Sequence, residues 1–348
     1  MLRHRPSGLR INYTLEGRVC ITVGRMTETR PEDETQQSST RHDVGTAQVG
    51  DITIAYEDIG NRDDPAVLLI MGLSAQLTFW QTEFCMSIVE QGYRVVRFDN
   101  RDIGLSTHLD GARVGGNALT GLARLAKHEL GLPSTVPYTL VDMAEDAVGL
   151  LDALGIEQAH IVGGSMGGMI TQIVAGKHTD RVSSVAILFS STNEAFLPPP
   201  APSKLKALLT GPGKGATREQ YVENAAKAMR TIGSPKYSLP WEESLRRAGL
   251  AYDRAHDPAG IVRQTAAVMG TGSLKKYTTS ISAPTVVIHG KVDGLMRPSG
   301  GKAIARAVKG SKLVLIDDMG HDLPEPLWPQ IISELTANFA RAAKPQPE

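Results

Sequence analysis

The stretch Ala159-His160-Ile161-Val162-Gly163-Gly164-Ser165-Met166-Gly167-Gly168-Met169-Ile170 restricts the fold more than any other in the chain. It reads as a short buried strand, then Gly163-x-Ser165-x-Gly167, then a helix carrying Met169, Ile170, Ile173 and Val174 on one face. A serine on so sharp a strand-to-helix turn has strained backbone angles. Glycines two before and two after it leave room for the chains that cross there. Such a turn pushes the serine oxygen out at the carboxyl edge of a sheet, with the positive end of the new helix behind it. Alone, the pentapeptide also suits a glycine-rich turn that packs a helix closely on a strand, so partners elsewhere must decide its role.

Around it, strand and helix patterns alternate. Asp51 to Tyr56 alternates as an edge strand does, and Ala66-Val67-Leu68-Leu69-Ile70-Met71 is apolar throughout, as a strand buried on both faces would be. Tyr93 to Phe98 and Ser183 to Ser190 are further strands, with helices expected over 79–90, 119–130 and 140–154. Thr139 with Asp142 opens the last of these as a capping box, and Gly155 closes it. This order predicts an α/β fold with a parallel sheet covered on both faces. After Ser191 the alternation stops. Leu197-Pro198-Pro199-Pro200-Ala201-Pro202 reads as a stiff linker, followed by helical patterns to about residue 282 that include a Thr217/Gln220 capping pair and an Asp257-Pro258 helix start. Strands at 285–289 and 312–316 then resume, with a helix over 302–308 between them and a closing helix over 327–343. The expected organisation is a core of 46–191 and 283–343, a helical cap of 192–282, a disordered extension over 1–45 and a frayed tail over 344–348. Met26, directly before the polar run 27–43, is an alternative start.

Composition narrows the partners. Lysine plus arginine equal aspartate plus glutamate at 37 each, which gives no basis for binding nucleic acid or another polyanion. The two cysteines, Cys20 and Cys85, imply no disulfide framework. No apolar run approaches a membrane span, so no transmembrane segment is expected. The amino terminus is a poor signal-peptide core, its apolar residues being interrupted by Asn12, Thr14, Glu16, Gly17 and Arg18. The default expectation is a cytoplasmic protein, with envelope association and peripheral membrane contact left open.

A serine hydroxyl needs a base within hydrogen-bond reach, and the base needs a third group to orient it. Asp293 lies just past the strand 285–289, and His321 just past the last strand. In a parallel sheet such loops emerge on one edge, so Ser165, Asp293 and His321 can converge although far apart in sequence. His289 is the rival base, read as ending its strand beneath the acid loop, and Glu194 is the rival acid. Asp317, Asp318 and Asp322 are too near His321 in sequence to orient it, but one of them could cap the final helix. Two backbone N–H groups suit an oxyanion: that of Met166 after the serine, and that of Leu73 in the loop after the apolar strand 66–71. Phe79, Trp80, Met169, Leu295 and Met296 are candidates for an apolar substrate pocket.

Gly163-x-Ser165-x-Gly167, Asp99-x-Arg101-x-x-Gly104-x-Ser106, Gly290-x-x-Asp293 and Gly320-His321 follow one another in the order Ser, Asp, His. With these elements the chain, from about Val49 to Ala343, resembles the α/β-hydrolase fold. Within that fold it looks like the bacterial branch of lipase- and esterase-like enzymes that includes aclacinomycin methylesterase. The resemblance implies a mostly parallel eight-stranded sheet, helices on both faces and a helical cap. It also implies a nucleophilic Ser165, a base His321, an orienting Asp293, oxyanion donors at Leu73 and Met166, and no cofactor or metal. Many relatives carry His-Gly where this chain has Met71-Gly72, so a contact from that histidine side chain is lost while the backbone donor stays. Ser165 in place of an elbow aspartate argues against epoxide opening and halide displacement. The implied activity is hydrolysis of a small-molecule or lipid-like carboxylic ester through an acyl-enzyme. The alternatives are a thioesterase or phospholipase, a cofactor-free haloperoxidase or carbon–carbon bond hydrolase, and a non-catalytic ligand-binding member of the fold.

Overall fold

Strands whose residues are apolar on both faces fold only where both faces are covered. The computed structural model, which describes residues 9–13, 19–23, 40–115, 118–213 and 215–342, places these runs at the centre of a sheet. In chain order the strands are β1 (Leu9–Tyr13), β2 (Val19–Val23), β3 (His42–Val49), β4 (Ile52–Ile59), β5 (Ala66–Ile70), β6 (Arg94–Phe98), β7 (Ala159–Gly164), β8 (Val182–Leu188), β9 (Thr285–Gly290) and β10 (Lys312–Ile316). The helices are α1 (Thr82–Val89), α2 (Ala118–Glu129), α3 (Leu140–Ala153), α4 (Met166–Lys177), α5 (Pro202–Leu209), α6 (Arg218–Ile232), α7 (Trp241–Arg254), α8 (Pro258–Thr271), α9 (Lys275–Thr278), α10 (Pro298–Ala307) and α11 (Trp328–Ala342).

Eight strands form one sheet in the order β10-β9-β8-β7-β5-β6-β4-β3. Pairing is parallel from β10 to β6, and β4 runs antiparallel to both β6 and β3. Alternation along β5 sends Leu68 and Ile70 into one core with Ile161, Ile170 and Ile173, while Val67 and Leu69 enter a second with Val162, Phe84, Trp328 and Leu335. Helices α3 and α4 thus cover one face, and α1 and α11 the other. The capping boxes form at Thr139 and Thr217, and the Asp257 side chain accepts from the Ala259 N–H at 2.9 Å. Between β8 and β9 run α5 to α9, with no strand among the described residues.

Two features depart from the expected amino-terminal extension. β3 begins at His42, inside the stretch read as disordered, and pairs with β4 through the two-residue link Gly50-Asp51, where Gly50 has φ 54°. β1 and β2 form a separate antiparallel pair. Met26 and the tail 344–348 lie outside the described residues.

The antiparallel register sets Glu57 of β4 opposite Arg97 of β6. The Arg97 Nε–H donates to Glu57 Oε2 at 3.0 Å, and His42 Nε2 lies 2.8 Å from the same oxygen. Burial alone would raise the carboxyl, but the His42 hydrogen bond and the Arg97 charge outweigh it and pull Glu57 from 4.5 to about 2. Between those values the unfolded chain binds the extra proton, so this contribution is complete above about 4.5 and is lost as pH falls towards about 2. In Glu57→Gln the stability deficit relative to wild type, measured by urea unfolding at a series of acidic pH values, should narrow as the pH falls through that window.

Candidate active site

Strand β7 delivers the chain to Ser165, whose φ of 56° and ψ of −122° lie in the left-handed half of backbone space. The turn closes because its glycines lack side chains. A Cβ on Gly163 would stand 2.2 Å from Thr171 Oγ1, and one on Gly167 would stand 2.1 Å from the Ile70 carbonyl oxygen. Four hydrogen bonds hold the serine backbone: its N–H donates to Leu188 O at 3.0 Å, while its carbonyl accepts from Ser190 Oγ, Gly168 N and Met169 N.

The loops after β9 and β10 bring up the other two groups. The Asp293 carboxylate is buried, and its Oδ1 accepts from the Leu295 and Met296 N–H groups at 2.9 Å each. Its Oδ2 lies 2.8 Å from His321 Nδ1, and His321 Nε2 lies 2.9 Å from Ser165 Oγ. A carboxylate only accepts, so Nδ1 carries the proton and Nε2 is left to accept from the serine hydroxyl. Burial works against the Asp293 charge, but the facing His321 and its hydrogen bond, with His289 close by, hold its carboxyl well below the usual range. The Phe189 ring meets His321 edge-on at 5.0 Å.

The third part is the loop after β5. A Cβ on Gly72 would lie 2.9 Å from the Ser165 Cβ, so this backbone runs directly against the serine. Among the described residues no protein acceptor meets the Leu73 N–H. Met166 opens α4, so its N–H has no intrahelical acceptor. Ser165, His321, Leu73 and Met166 line one cavity of about 2260 Å³, whose walls are largely apolar and come from the core and from the helices between β8 and β9.

The rivals are occupied elsewhere. His289 is fully buried and donates from Nε2 to Met296 O at 2.7 Å, 3.5 Å from Asp293 Oδ2. Glu194 accepts from Thr192 Oγ1 and pairs with Lys275. Asp322 accepts from the Ser234 N–H and hydroxyl, Asp317 pairs with Lys291, and Asp318 pairs with Lys236. Of the pocket candidates, Phe79, Met169, Leu295 and Met296 line the cavity. Trp80 is corrected: the tight turn at Leu77–Phe79 rotates its indole into the core, fully buried against Phe84 at a ring separation of 5.8 Å.

Several polar residues around the site carry no sequence motif: Gln76, Arg254 and Gln264, all bonded in the loop after β5 or to it. Asp102, His108 and Asp257 also cluster, with donor atoms within 4.8 Å of one another. The Arg263 guanidinium bonds both carboxylates and supplies the positive charge there. Among the described residues no helix is long and apolar enough to cross a membrane.

A family model for the alpha/beta hydrolase fold matches residues 65–325. The chain is 25% identical over 310 residues to rhodomycin D methylesterase DnrP of Streptomyces peucetius, covering 82% of this chain and 96% of that one. It is 27% identical over 212 residues to 2-hydroxymuconate semialdehyde hydrolase of Pseudomonas putida, covering 60% and 69% respectively. The enol-lactonase of Burkholderia xenovorans LB400 shares the fold with a TM-score of 0.63 at 20% sequence identity, over 85% of this chain and 100% of that one.

The site's geometry rests on the missing side chain at residue 167. A methyl group there collides with the backbone of β5, which has no rotamer to yield with, so Gly167→Ala should cost on the order of 3 kcal/mol in chemical denaturation. A variant as stable as wild type would show that the turn tolerates a Cβ.

Proposed function

Because the chain belongs to the alpha/beta hydrolase fold family, we propose that it is a serine hydrolase that cleaves a carboxylic ester through an acyl-enzyme. The observation that carries this reading is the unbroken line from Asp293 through His321 to Ser165, at 2.8 and 2.9 Å, opening into an apolar cavity. Similarity to a methylesterase over most of both chains supports the ester as the bond cleaved.

In the proposed mechanism, Ser165 Oγ attacks the ester carbonyl while His321 Nε2 takes the hydroxyl proton. Asp293 keeps Nδ1–H in place and offsets the imidazolium charge. The carbonyl oxygen, now negative, accepts from the Leu73 and Met166 N–H groups. Collapse of the tetrahedral intermediate breaks the bond to the alkoxy group, which leaves as the alcohol with the proton from His321. Water, deprotonated by His321, then repeats the sequence on the acyl-enzyme and releases the acid. No cofactor or metal enters these steps. The helices between β8 and β9 act as a cap, and the cavity exceeds what a small ester needs, which favours a substrate with a bulky or long apolar part. Similarity to the semialdehyde hydrolase keeps carbon–carbon bond hydrolysis as a second reading on the same residues.

A panel of esters and thioesters graded by acyl length, run beside a semialdehyde of the second reading, tests bond and substrate together. Ser165→Ala should reduce turnover by on the order of 10⁶ and abolish covalent labelling by a fluorophosphonate. An alanine variant that keeps most of its rate removes Ser165 from the mechanism. Asp293→Asn should lower kcat by about 10⁴ by favouring the wrong imidazole tautomer, whereas Glu194→Gln should leave it near wild type. The opposite ranking would move the orienting acid to Glu194.

A further inference from the structure

The loop that presents the Leu73 N–H has little to hold it from within. Its internal hydrogen bond, Ala75 N to Gly72 O, is long at 3.3 Å, and Ser74 takes a left-handed φ of 61° that a residue with a Cβ rarely adopts. Such a conformation persists only where the surroundings impose it. The imposing contact comes from α8, whose Gln264 is 0% exposed although it carries a primary amide.

A buried amide must find partners for both ends. Gln264 Oε1 accepts from the Ser74 N–H at 3.1 Å, and its Nε2 donates to Arg101 O at 2.9 Å. The amide therefore ties the loop after β5 to the loop after β6. Holding the Ser74 N–H towards α8 fixes the orientation of the peptide between Leu73 and Ser74. The Gly72–Leu73 peptide lies between this fixed peptide and Met71, and among the described residues its Leu73 N–H meets no protein acceptor. The flanks are fixed separately. Asn100 Nδ2 donates to Met71 O at 2.8 Å, and the Leu77 N–H donates to Asp99 Oδ1 at 2.7 Å. Gln76 bonds Ala251 O, Ala255 O and Arg254, and Arg254 also pairs with Asp99 Oδ2 at 2.7 Å. At residue 74 itself, Gln264 is the brace.

We propose that Gln264 is a positioning residue for the oxyanion: its bond to the Ser74 N–H sets the left-handed turn that aims the Leu73 N–H at the reacting carbonyl oxygen. This rests on the reading of Ser165 as nucleophile and Leu73 as donor. It adds that a residue of the inserted helices, 190 positions from Ser74 in sequence, takes part in transition-state stabilisation.

The experiment compares wild type with Gln264→Leu and Gln264→Met, which keep the approximate shape and lose the amide. The best substrate of the ester panel gives kcat and KM. A boronic acid that forms a tetrahedral adduct on Ser165 gives the affinity for a transition-state-like species. Fluorophosphonate labelling of each variant reports the serine. Removal of one oxyanion donor costs about 10²- to 10³-fold, and a misaimed donor should cost less, about 10- to 100-fold in kcat. KM should stay near wild type, and boronate affinity should fall in step with kcat/KM. A structural role alone would lower the midpoint of unfolding without that parallel. If Gln264→Leu does not fold, Gln264→Met carries the comparison. Wild-type kcat and boronate affinity in a folded variant overturn the proposal and leave the ester-hydrolase reading intact. A wild-type protein that neither takes the label at Ser165 nor turns over any ester overturns both.

Discussion

The site depends on one close approach, where the turn from β7 into α4 lies against the carbonyl of Ile70 at the end of β5. No side chain fits between them at residue 167. That contact forces Ser165 into a conformation costing about 1–3 kcal/mol for a residue with a Cβ. The strain is sustained because the central strands around it are buried and cannot yield, and because the serine N–H and carbonyl are both bonded to their neighbours. The outcome is a hydroxyl fixed at the sheet's carboxyl edge, with its backbone no longer free to relax.

A rigid serine is useful only if its partner has the right proton on the right nitrogen. The buried Asp293 settles this by accepting from two backbone N–H groups on one oxygen and from His321 on the other, so a carboxylate that burial disfavours stays charged. His289, next to it, sends its own proton to the Met296 carbonyl and braces the acid loop from below. Two buried imidazoles within reach of one carboxylate thus have different roles, set by what their second nitrogens meet. His321 Nε2 faces a hydroxyl and a cavity, while the His289 ring is enclosed against α10.

Much of this was legible in the sequence because it depends on local pattern. The apolar run at 66–71 and the stretch 159–164 read as buried strands, and residues just past strand ends in a parallel sheet share one edge. Ser165, Asp293 and His321 each sit in that position, and the structure brings them together. β3 was missed because polar residues alternate irregularly with small and apolar ones along it and it is partly exposed, leaving the Gly50-Asp51 turn as its one sharp signal. Trp80 was misplaced because neighbours in a tight turn point in different directions, which sequence adjacency does not reveal. The motif Asp99-x-Arg101-x-x-Gly104-x-Ser106 was visible, but its purpose was not. Asp99 accepts from Leu77 and Leu105, and Ser106 Oγ donates to Asp99 O while accepting from Ala55 N, so the motif ties the middle of β4 and the loop after β5 to the end of β6. Gln76, Arg254 and Gln264 left no trace, since a polar contact between segments some 175 or more positions apart has no period to read.

Those long-range contacts change how the inserted helices should be understood. A segment resting on a cavity through apolar contacts alone can slide, because such contacts have no preferred direction. This one is joined to both halves of the site by directed bonds. At the end of α6, Ser234 Oγ accepts from the Gly320 N–H, Ile232 O accepts from the His321 N–H, and Asp322 accepts from Ser234 in return. From α7 and α8, Arg254 and Gln264 reach the loop opposite. Buried polar bonds are costly to break without replacement, so the position of the His321 loop and that of the loop after β5 are each tied to the insert. On the proposed ester-hydrolase reading, the segment that walls the cavity is therefore also the one that holds the groups around the reacting carbonyl, and a change in the insert made to suit another substrate acts on rate as well as on fit.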